Sequence, residues 1–163
     1  MFDEHLLNLA RLTLDEAQQR RLKIATAESC TGGLIAGLLT EIPGSSATVE
    51  RGFVVYSNRA KEEMLGVPGD LIADAGAVSE PVARAMAEGA LQESRANLAV
   101  AVTGVAGPGG GTPLKPVGLV HLAVARENKP IFHQAMRFGE VGRHEIRRQT
   151  IIVALEMVRK MMA

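Results

Sequence analysis

The sequence is poor in the residues that mark several classes of protein. Its 163 residues include one cysteine, Cys30, no tryptophan and only 3% aromatic residues. A single cysteine excludes an internal disulfide and fits a reducing compartment. Single-stranded nucleic acids stack on aromatic side chains, so their scarcity argues against a protein that binds such strands. Aliphatic residues and methionine must fill the core instead.

Net charge and long apolar runs are also absent. The 18 basic and 18 acidic residues cancel, which leaves no electrostatic footprint for nucleic acid or for an anionic membrane. No apolar run reaches the length of a membrane span, and Asp3 and Glu4 stand where a signal peptide would carry basic residues. The sequence therefore predicts a cytoplasmic protein with neither a nucleic-acid nor a membrane partner.

Cofactor and metal motifs are missing as well. No HxH, HExxH or CxxC spacing occurs, and neither GxGxxG nor GxxxxGK[ST] is present. These patterns supply the usual zinc ligands and phosphate cradles. We therefore expect neither a metal nor a cofactor.

The chain does contain an alternation of helical and strand patterns. Apolar residues at helical spacing predict helices over 4–20, 31–41, 58–65, 79–94 and 143–162. Asn58 and Ser79 are the expected N-caps of two of them. Valine-rich and alanine-rich runs predict strands over 22–27, 49–57, 97–103, 118–126 and 130–138. This order predicts one α/β domain over 1–163, a three-layer α/β/α fold with a mixed, mostly parallel sheet.

Two of the predicted strands run into small polar residues and glycines. The segments are AESCTGG (27–33) and AVTGVAGPGGG (101–111). Ligands of open α/β sheets bind beyond the carboxyl ends of the strands, so both loops should border one crevice. A helix that starts near Thr31 would offer free N–H groups to a phosphate or an oxyanion. Either loop alone is explained equally well by helix packing or by a flexible connection.

Ser29 is the candidate nucleophile, because it follows a strand and precedes a predicted helix. A serine hydroxyl needs a base, and the four histidines stand mostly within predicted helices and strands, which weakens a Ser/His/Asp triad. Lys61 is the alternative base if burial lowers its pKa, although a lysine in such a sequence is more often a solvated surface residue. Cys30 is either a second possible nucleophile or a small buried apolar residue.

Six segments, taken in order, resemble the CinA C-terminal-domain family. They are AESCTGG (27–33), GSS (44–46), RGFVVYSN (51–58), GAVSEPV (76–82), TGVAGPGGG (103–111) and KPVG (115–118). Together with Lys61 they cover nearly the whole chain, and several are specific. The chain is therefore identified as a member of that family.

The resemblance implies an activity and a set of site residues. Members include stand-alone nicotinamide-nucleotide amidases, which convert nicotinamide mononucleotide and water into nicotinate mononucleotide and ammonia. The serine nucleophile and lysine base of the family fall on Ser29 and Lys61, and the motif tyrosine falls on Tyr56, which would relay a proton or hold Lys61. Thr103 and Arg143 also match site positions. Relatives often read Gly-Asp-Arg where this chain has Gly-Arg, within GEVGR (139–143).

The expected partner is a small nucleotide substrate. Its predicted binding residues are Thr31, Gly32, Gly33, Ser45, Ser46, Thr103, Gly104, Gly107 and Arg143. Two alternatives stay open: a non-catalytic nucleotide-binding module of the competence type, and a Ser/Lys amidase for another amide. A homodimer is also expected, because the last helix carries Met157, Met161 and Met162 and because family members associate.

Overall fold

The computed structural model describes residues 1–163 and contains six helices, five strands and one short 3₁₀-helix. The helices are α1 (Glu4–Gln19), α2 (Leu34–Glu41), α3 (Asn58–Leu65), α4 (Gly69–Ala75), α5 (Glu80–Gln92) and α6 (Arg143–Met162). The strands are β1 (Ile24–Glu28), β2 (Val49–Val54), β3 (Leu98–Gly104), β4 (Leu119–Arg126) and β5 (Phe132–Arg137). The 3₁₀-helix is Ser45–Ala47, just before β2.

The strands form one mixed sheet in the order β2-β1-β3-β4-β5. β1 pairs in parallel with both β2 and β3, whereas β4 is antiparallel to β3 and to β5. Four of the five strands therefore run in the same direction, which confirms the predicted mixed, mostly parallel sheet. All five residues of β1 are buried, as expected for a central parallel strand covered on both faces.

The sheet separates two apolar layers of different side-chain size. On one face, Leu98, Val100 and Val102 of β3 pack against α1, α2 and α6. On the other face, β1, β3 and β4 present six alanines to α5, namely Ala25, Ala27, Ala99, Ala101, Ala123 and Ala125. Alternate residues of a strand point to opposite faces, which produces this separation. The predicted three-layer α/β/α fold is confirmed.

Three local expectations differ from the structure. α2 begins at Leu34 rather than near Thr31, because Gly33 precedes it with a left-handed φ of 101°. Ser57, and not Asn58, caps α3, since its Oγ accepts the N–H of Ala60 at 3.0 Å. The sequence does not predict α4, whose seven residues are too few for a clear helical period. None of the helices has the length and apolar character that crossing a bilayer requires.

Candidate active site

The carboxyl ends of β1 and β3 border one cavity. Ser29 directly follows β1, and its N–H donates to the carbonyl of Val102 in β3 at 3.1 Å. The structure thus brings together the two loops that the sequence singles out. They enclose a cavity of about 200 Å³. Its lining residues are Ser29, Cys30, Tyr56, Asn58, Lys61, Ala77, Val78, Thr103, Gly104, Ala106 and Arg143.

Lys61 reaches Ser29 from α3. Its Nζ lies 3.1 Å from Ser29 Oγ, 3.0 Å from the carbonyl oxygen of Val55 and 3.3 Å from that of Tyr56. Lys61 is only 1% exposed, and Ser29 is 8% exposed. Burial lowers the pKa of Lys61 below its usual value, because a charged ammonium group loses water that the protein does not replace.

The three hydrogen-bond partners of Lys61 Nζ fit either charge state of the amine. The carbonyl oxygens of Val55 and Tyr56 can only accept, so each takes one N–H group of Nζ. An ammonium group would donate its third N–H to Ser29 Oγ, whereas a neutral amine would accept the proton of the Ser29 hydroxyl through its lone pair. An uncharged lysine held in this way can take the serine proton, as a general base must.

Cys30 lies beside Ser29, but its environment suppresses its reactivity. Its side chain is 6% exposed. Burial, with a further contribution from the negative charge of Glu28, raises the pKa of the Cys30 thiol to about 12. A thiol that stays protonated is a poor nucleophile. The geometry therefore favours Ser29.

Arg143, the first residue of α6, borders the mouth of the cavity. Its Nη1 donates to the carbonyl oxygen of Gly107 at 2.8 Å, and its Nη2 donates to Tyr56 Oη at 3.2 Å. These contacts hold Arg143 without an acidic neighbour, and Gly142 before it has a φ of 99°. Tyr56 therefore contacts Lys61 through its backbone and Arg143 through its hydroxyl. Tyr56 is 62% exposed, so its ring lies at the surface.

Thr103 and Gly104 form the wall contributed by β3. Thr103 Oγ1 donates to the carbonyl oxygen of Ala77 at 2.9 Å, which fixes the segment before α5 against the cavity. A Cβ on Gly104 would lie 2.7 Å from Val120 Cγ2 and 2.9 Å from the carbonyl oxygen of Leu119. Glycine is required at this position because the neighbouring strand passes so close.

Several predicted substrate-binding residues do not line the cavity. Thr31, Gly32 and Gly33 form the turn after Ser29, and Gly107 contributes a carbonyl to Arg143 rather than a surface of the cavity. Ser45 and Ser46 precede β2, whose first residue pairs with the first residue of β1. They therefore lie at the opposite end of the strands, about 15 Å away at 3.3 Å per residue. Within a single chain, Ser45 and Ser46 therefore do not lie near Ser29.

Two charged residues that the sequence pattern does not single out hold the turn after Ser29. Glu28 is fully buried, and its Oε1 accepts the Thr31 hydroxyl at 2.6 Å and the Ile35 N–H at 2.8 Å. Its Oε2 accepts the Ala36 N–H at 3.0 Å. Arg147 donates to the carbonyl oxygens that follow Ser29. The start of α2 is thus already occupied by Glu28, which corrects the expectation that this helix end is open to a ligand.

The remaining titratable side chains form no metal site. No group of three His, Cys, Asp or Glu side chains lies close enough together to hold an ion. His121 and His133 make a pair, with Nδ1 and Nε2 3.0 Å apart, on β4 and β5. Neither histidine borders the cavity that contains Ser29.

A family model described as the CinA C-terminal domain matches residues 6–162. The chain belongs to the CinA C-terminal-domain family. The structure resembles the competence/damage inducible protein CihA from Agrobacterium tumefaciens, with a TM-score of 0.96 and 55% identity over 98% of this chain and 97% of that one. A CinA superfamily protein from Klebsiella pneumoniae gives a TM-score of 0.91 at 30% identity, over 96% of this chain and 97% of the other.

Curated members of the CinA family are longer than this chain. A CinA-like protein from Anaeromyxobacter sp. strain K is 49% identical over 160 residues, which is 98% of this chain and 38% of the relative. A CinA-like protein from Akkermansia muciniphila is 59% identical over 118 residues, which is 72% of this chain and 28% of the relative. The chain thus matches between about a quarter and two fifths of the length of these relatives.

Proposed function

We propose that this CinA-family chain is an amidohydrolase that converts nicotinamide mononucleotide and water into nicotinate mononucleotide and ammonia. The observation that carries the proposal is the buried pair of Ser29 Oγ and Lys61 Nζ, 3.1 Å apart, at the carboxyl end of a parallel strand. A nucleophile and a base within hydrogen-bond distance are the parts that acyl transfer needs. Membership of a family that includes such amidases supports this substrate.

The proposed reaction proceeds through an acyl-enzyme. Neutral Lys61 takes the Ser29 proton while Oγ forms a bond to the carboxamide carbon, and the carbonyl oxygen becomes an oxyanion. The tetrahedral intermediate then collapses: the C–N bond breaks, and Lys61 returns the proton to the departing nitrogen, which leaves as ammonia. Water, deprotonated by Lys61, next attacks the ester carbon. Ser29 leaves with the proton, and the carboxylic acid so formed loses its own proton to solvent to give the carboxylate product.

A main-chain N–H group is the proposed donor to the oxyanion. Cys30 follows the nucleophile and lines the cavity, and its N–H group donates to no main-chain carbonyl. Donors that are fixed before the reaction stabilise the charge that develops on the carbonyl oxygen. The Cys30 N–H takes the place of the helix start, which Glu28 fills.

Arg143 is the proposed contact for the substrate phosphate. It is exposed at the mouth of the cavity, and Gly107 and Tyr56 hold its guanidinium. A planar guanidinium suits the oxygens of a phosphate. Binding at the mouth would direct the nicotinamide ring toward Ser29. As part of the same proposal, the chain acts in the cytoplasm, where substrates of NAD metabolism are found.

Ammonia release by the purified chain tests the proposal. The assay compares nicotinamide mononucleotide with nicotinamide, nicotinamide riboside and unrelated primary amides, in the presence of a chelator because the mechanism needs no metal. We expect the highest kcat/KM for nicotinamide mononucleotide. A preference for another amide would keep the Ser29–Lys61 chemistry and change the substrate. Binding of the nucleotide without ammonia release would favour the non-catalytic module.

A further inference from the structure

We propose that Arg147 and Glu28 are positioning residues that fix the turn after Ser29 and thereby aim the N–H group of Cys30, which lines the cavity, at the reacting carbonyl. This inference rests on the proposed amidase function. The two side chains come from different elements, α6 and the end of β1, and hold the turn through its carbonyls, its hydroxyl and the start of α2.

Arg147 holds two consecutive peptide planes. Its Nε donates to the carbonyl oxygen of Cys30 at 3.1 Å, and its Nη2 donates to that of Thr31 at 3.3 Å. In a trans peptide the N–H points away from the C=O of the same plane. A guanidinium that holds the Thr31 carbonyl therefore also fixes the Gly32 N–H, which donates to the Ser29 carbonyl and so fixes the Cys30 N–H on the opposite side of that peptide.

Glu28 holds the next part of the turn. Its buried carboxylate accepts the Thr31 hydroxyl and the N–H groups of Ile35 and Ala36, at 2.6 to 3.0 Å. Hydrogen bonds to a carboxylate are among the stronger ones in proteins. The carboxylate thus joins the residue before the nucleophile to the first turn of α2, and Ser29 lies between these two fixed points.

The close fit of Arg147 leaves no room for another side chain. A Cβ on Gly32 would lie 3.2 Å from Arg147 Nη2, and Gly32 has a left-handed φ of 58°. The Gly32 N–H donates to the Ser29 carbonyl at 3.1 Å, so it is unavailable to the substrate. The peptide that joins Ser29 to Cys30 is held by this bond. Gly32, Arg147 and Glu28 therefore all hold the same short turn after Ser29.

A residue that positions the turn and a residue that binds substrate affect different kinetic constants. Oxyanion donors act mainly in the transition state, so a loosened turn should lower kcat and leave KM nearly unchanged. Lys61 does not contact Arg147, so the pH at which activity rises should not move. A purely structural role would instead lower the fraction of folded protein and leave the kcat of each intact site unchanged.

Arg147→Met and Arg148→Met make a matched pair of variants. Both arginines lie on α6, but Arg148 forms an ion pair with Asp3, 2.7 Å from its Nε to Oδ2, and does not touch the turn. We expect Arg147→Met to lower kcat about 100-fold, as displacement of catalytic groups by about 1 Å does. Arg148→Met should stay within about two-fold of wild type. Arg147→Lys, which can hold one carbonyl, should fall between them.

A fluorophosphonate probe keeps this test independent of the substrate. Ser29 Oγ forms a bond to phosphorus as its proton passes to Lys61, fluoride leaves, and the phosphoryl oxygen needs the same Cys30 N–H donor. The labelling rate constant of Arg147→Met should fall in parallel with its kcat, with an unchanged labelled fraction at the end point. An unchanged rate constant with a smaller labelled fraction would overturn the inference. If the wild-type protein is labelled by the probe but releases no ammonia from the nucleotide, that result would count against the proposed function and not against this inference.

Discussion

Lys61 lies where a charged lysine would be costly. Its side chain is 1% exposed, and its Nζ contacts two carbonyl oxygens and one hydroxyl. The unfavourable desolvation of the ammonium group shifts the equilibrium toward the neutral amine. In the proposed mechanism, the same burial that costs stability supplies a base beside Ser29, without a histidine or an acidic third residue.

Separate alanine substitutions of Ser29 and Cys30, the two neighbouring nucleophile candidates, test the assignment of Ser29. Ser29→Ala removes the attacking oxygen and should abolish nearly all ammonia release, on the order of 10⁴-fold or more, while substrate binding persists. Cys30→Ala should keep most activity, because burial raises the pKa of the thiol to about 12. Initial rates of ammonia release and a substrate titration of each variant measure these effects. An inactive Cys30→Ala beside an active Ser29→Ala would reverse the assignment.

Lys61→Arg tests whether Lys61 acts as a base. Arginine stays charged at every accessible pH and cannot accept the serine proton, so turnover should be nearly lost. In the wild type, activity should rise with pH as Lys61 loses its proton, at a pH below the usual lysine range because its pKa is lowered. A pH profile of kcat from the acid side measures this limb. Wild-type turnover by Lys61→Arg would show that the lysine only binds substrate.

The sequence predicts the buried pair of Ser29 and Lys61 better than the residues that hold the turn beside it. Ser29 and Lys61 are recognisable because their side chains follow strands within motifs. Glu28 and Arg147 are not, since their partners are backbone groups of residues distant in sequence or folded into a turn. Asn58 illustrates the same limit: its position at a helix start suggests a cap, yet Ser57 takes that role and Asn58 lines the cavity.

At the scale of elements, the position of α3 is set by how closely it approaches α5. The last residue of α3, Leu65, lies against Gly89 in the last turn of α5. Because α3 also carries Lys61, this contact determines how far the lysine reaches toward Ser29. The periodicity of the sequence predicts both helices, but it does not predict the distance between them.

Gly89→Ala tests the contact between α3 and α5. An added Cβ would lie 2.0 Å from the carbonyl oxygen of Leu65, so α3 must move away. We expect the free energy of unfolding to fall by about 1–3 kcal/mol, with a loss of kcat as Lys61 shifts. Gly37→Ala in α2 is the control: its Cβ would meet only Phe2 Cζ, at 3.8 Å. It should gain about 0.5–1 kcal/mol. Urea titrations measure both, and equal stability of the two variants would contradict the prediction.

At the scale of the whole molecule, two methionines that the sequence analysis assigns to a dimer interface lie in the core instead. Met157 and Met162 are 1% and 2% exposed, so they pack inside the chain and offer no surface to a partner. The open edge of β2, which pairs only with β1, is the alternative surface, because its outer N–H and C=O groups have no strand beside them. We still expect a dimer. Light scattering at micromolar concentration measures the mass, and a monomeric mass would contradict it.

The stability of the whole molecule should depend on pH through Lys61. Burial lowers the pKa of Lys61 in the folded state, whereas in the unfolded chain it lies near 10.4. Between these two values the unfolded state binds more protons, so the free energy of unfolding rises with pH.

Lys61→Met removes this titration and leaves every other group in place. The wild-type value minus the Lys61→Met value should therefore increase as the pH rises toward about 10, by at most about 1.4 kcal/mol per pH unit for one proton. Urea titrations of both proteins at each pH measure the difference. A difference that stays constant over this range would mean that Lys61 keeps its ordinary pKa when folded, and a lysine that remains charged could not deprotonate Ser29.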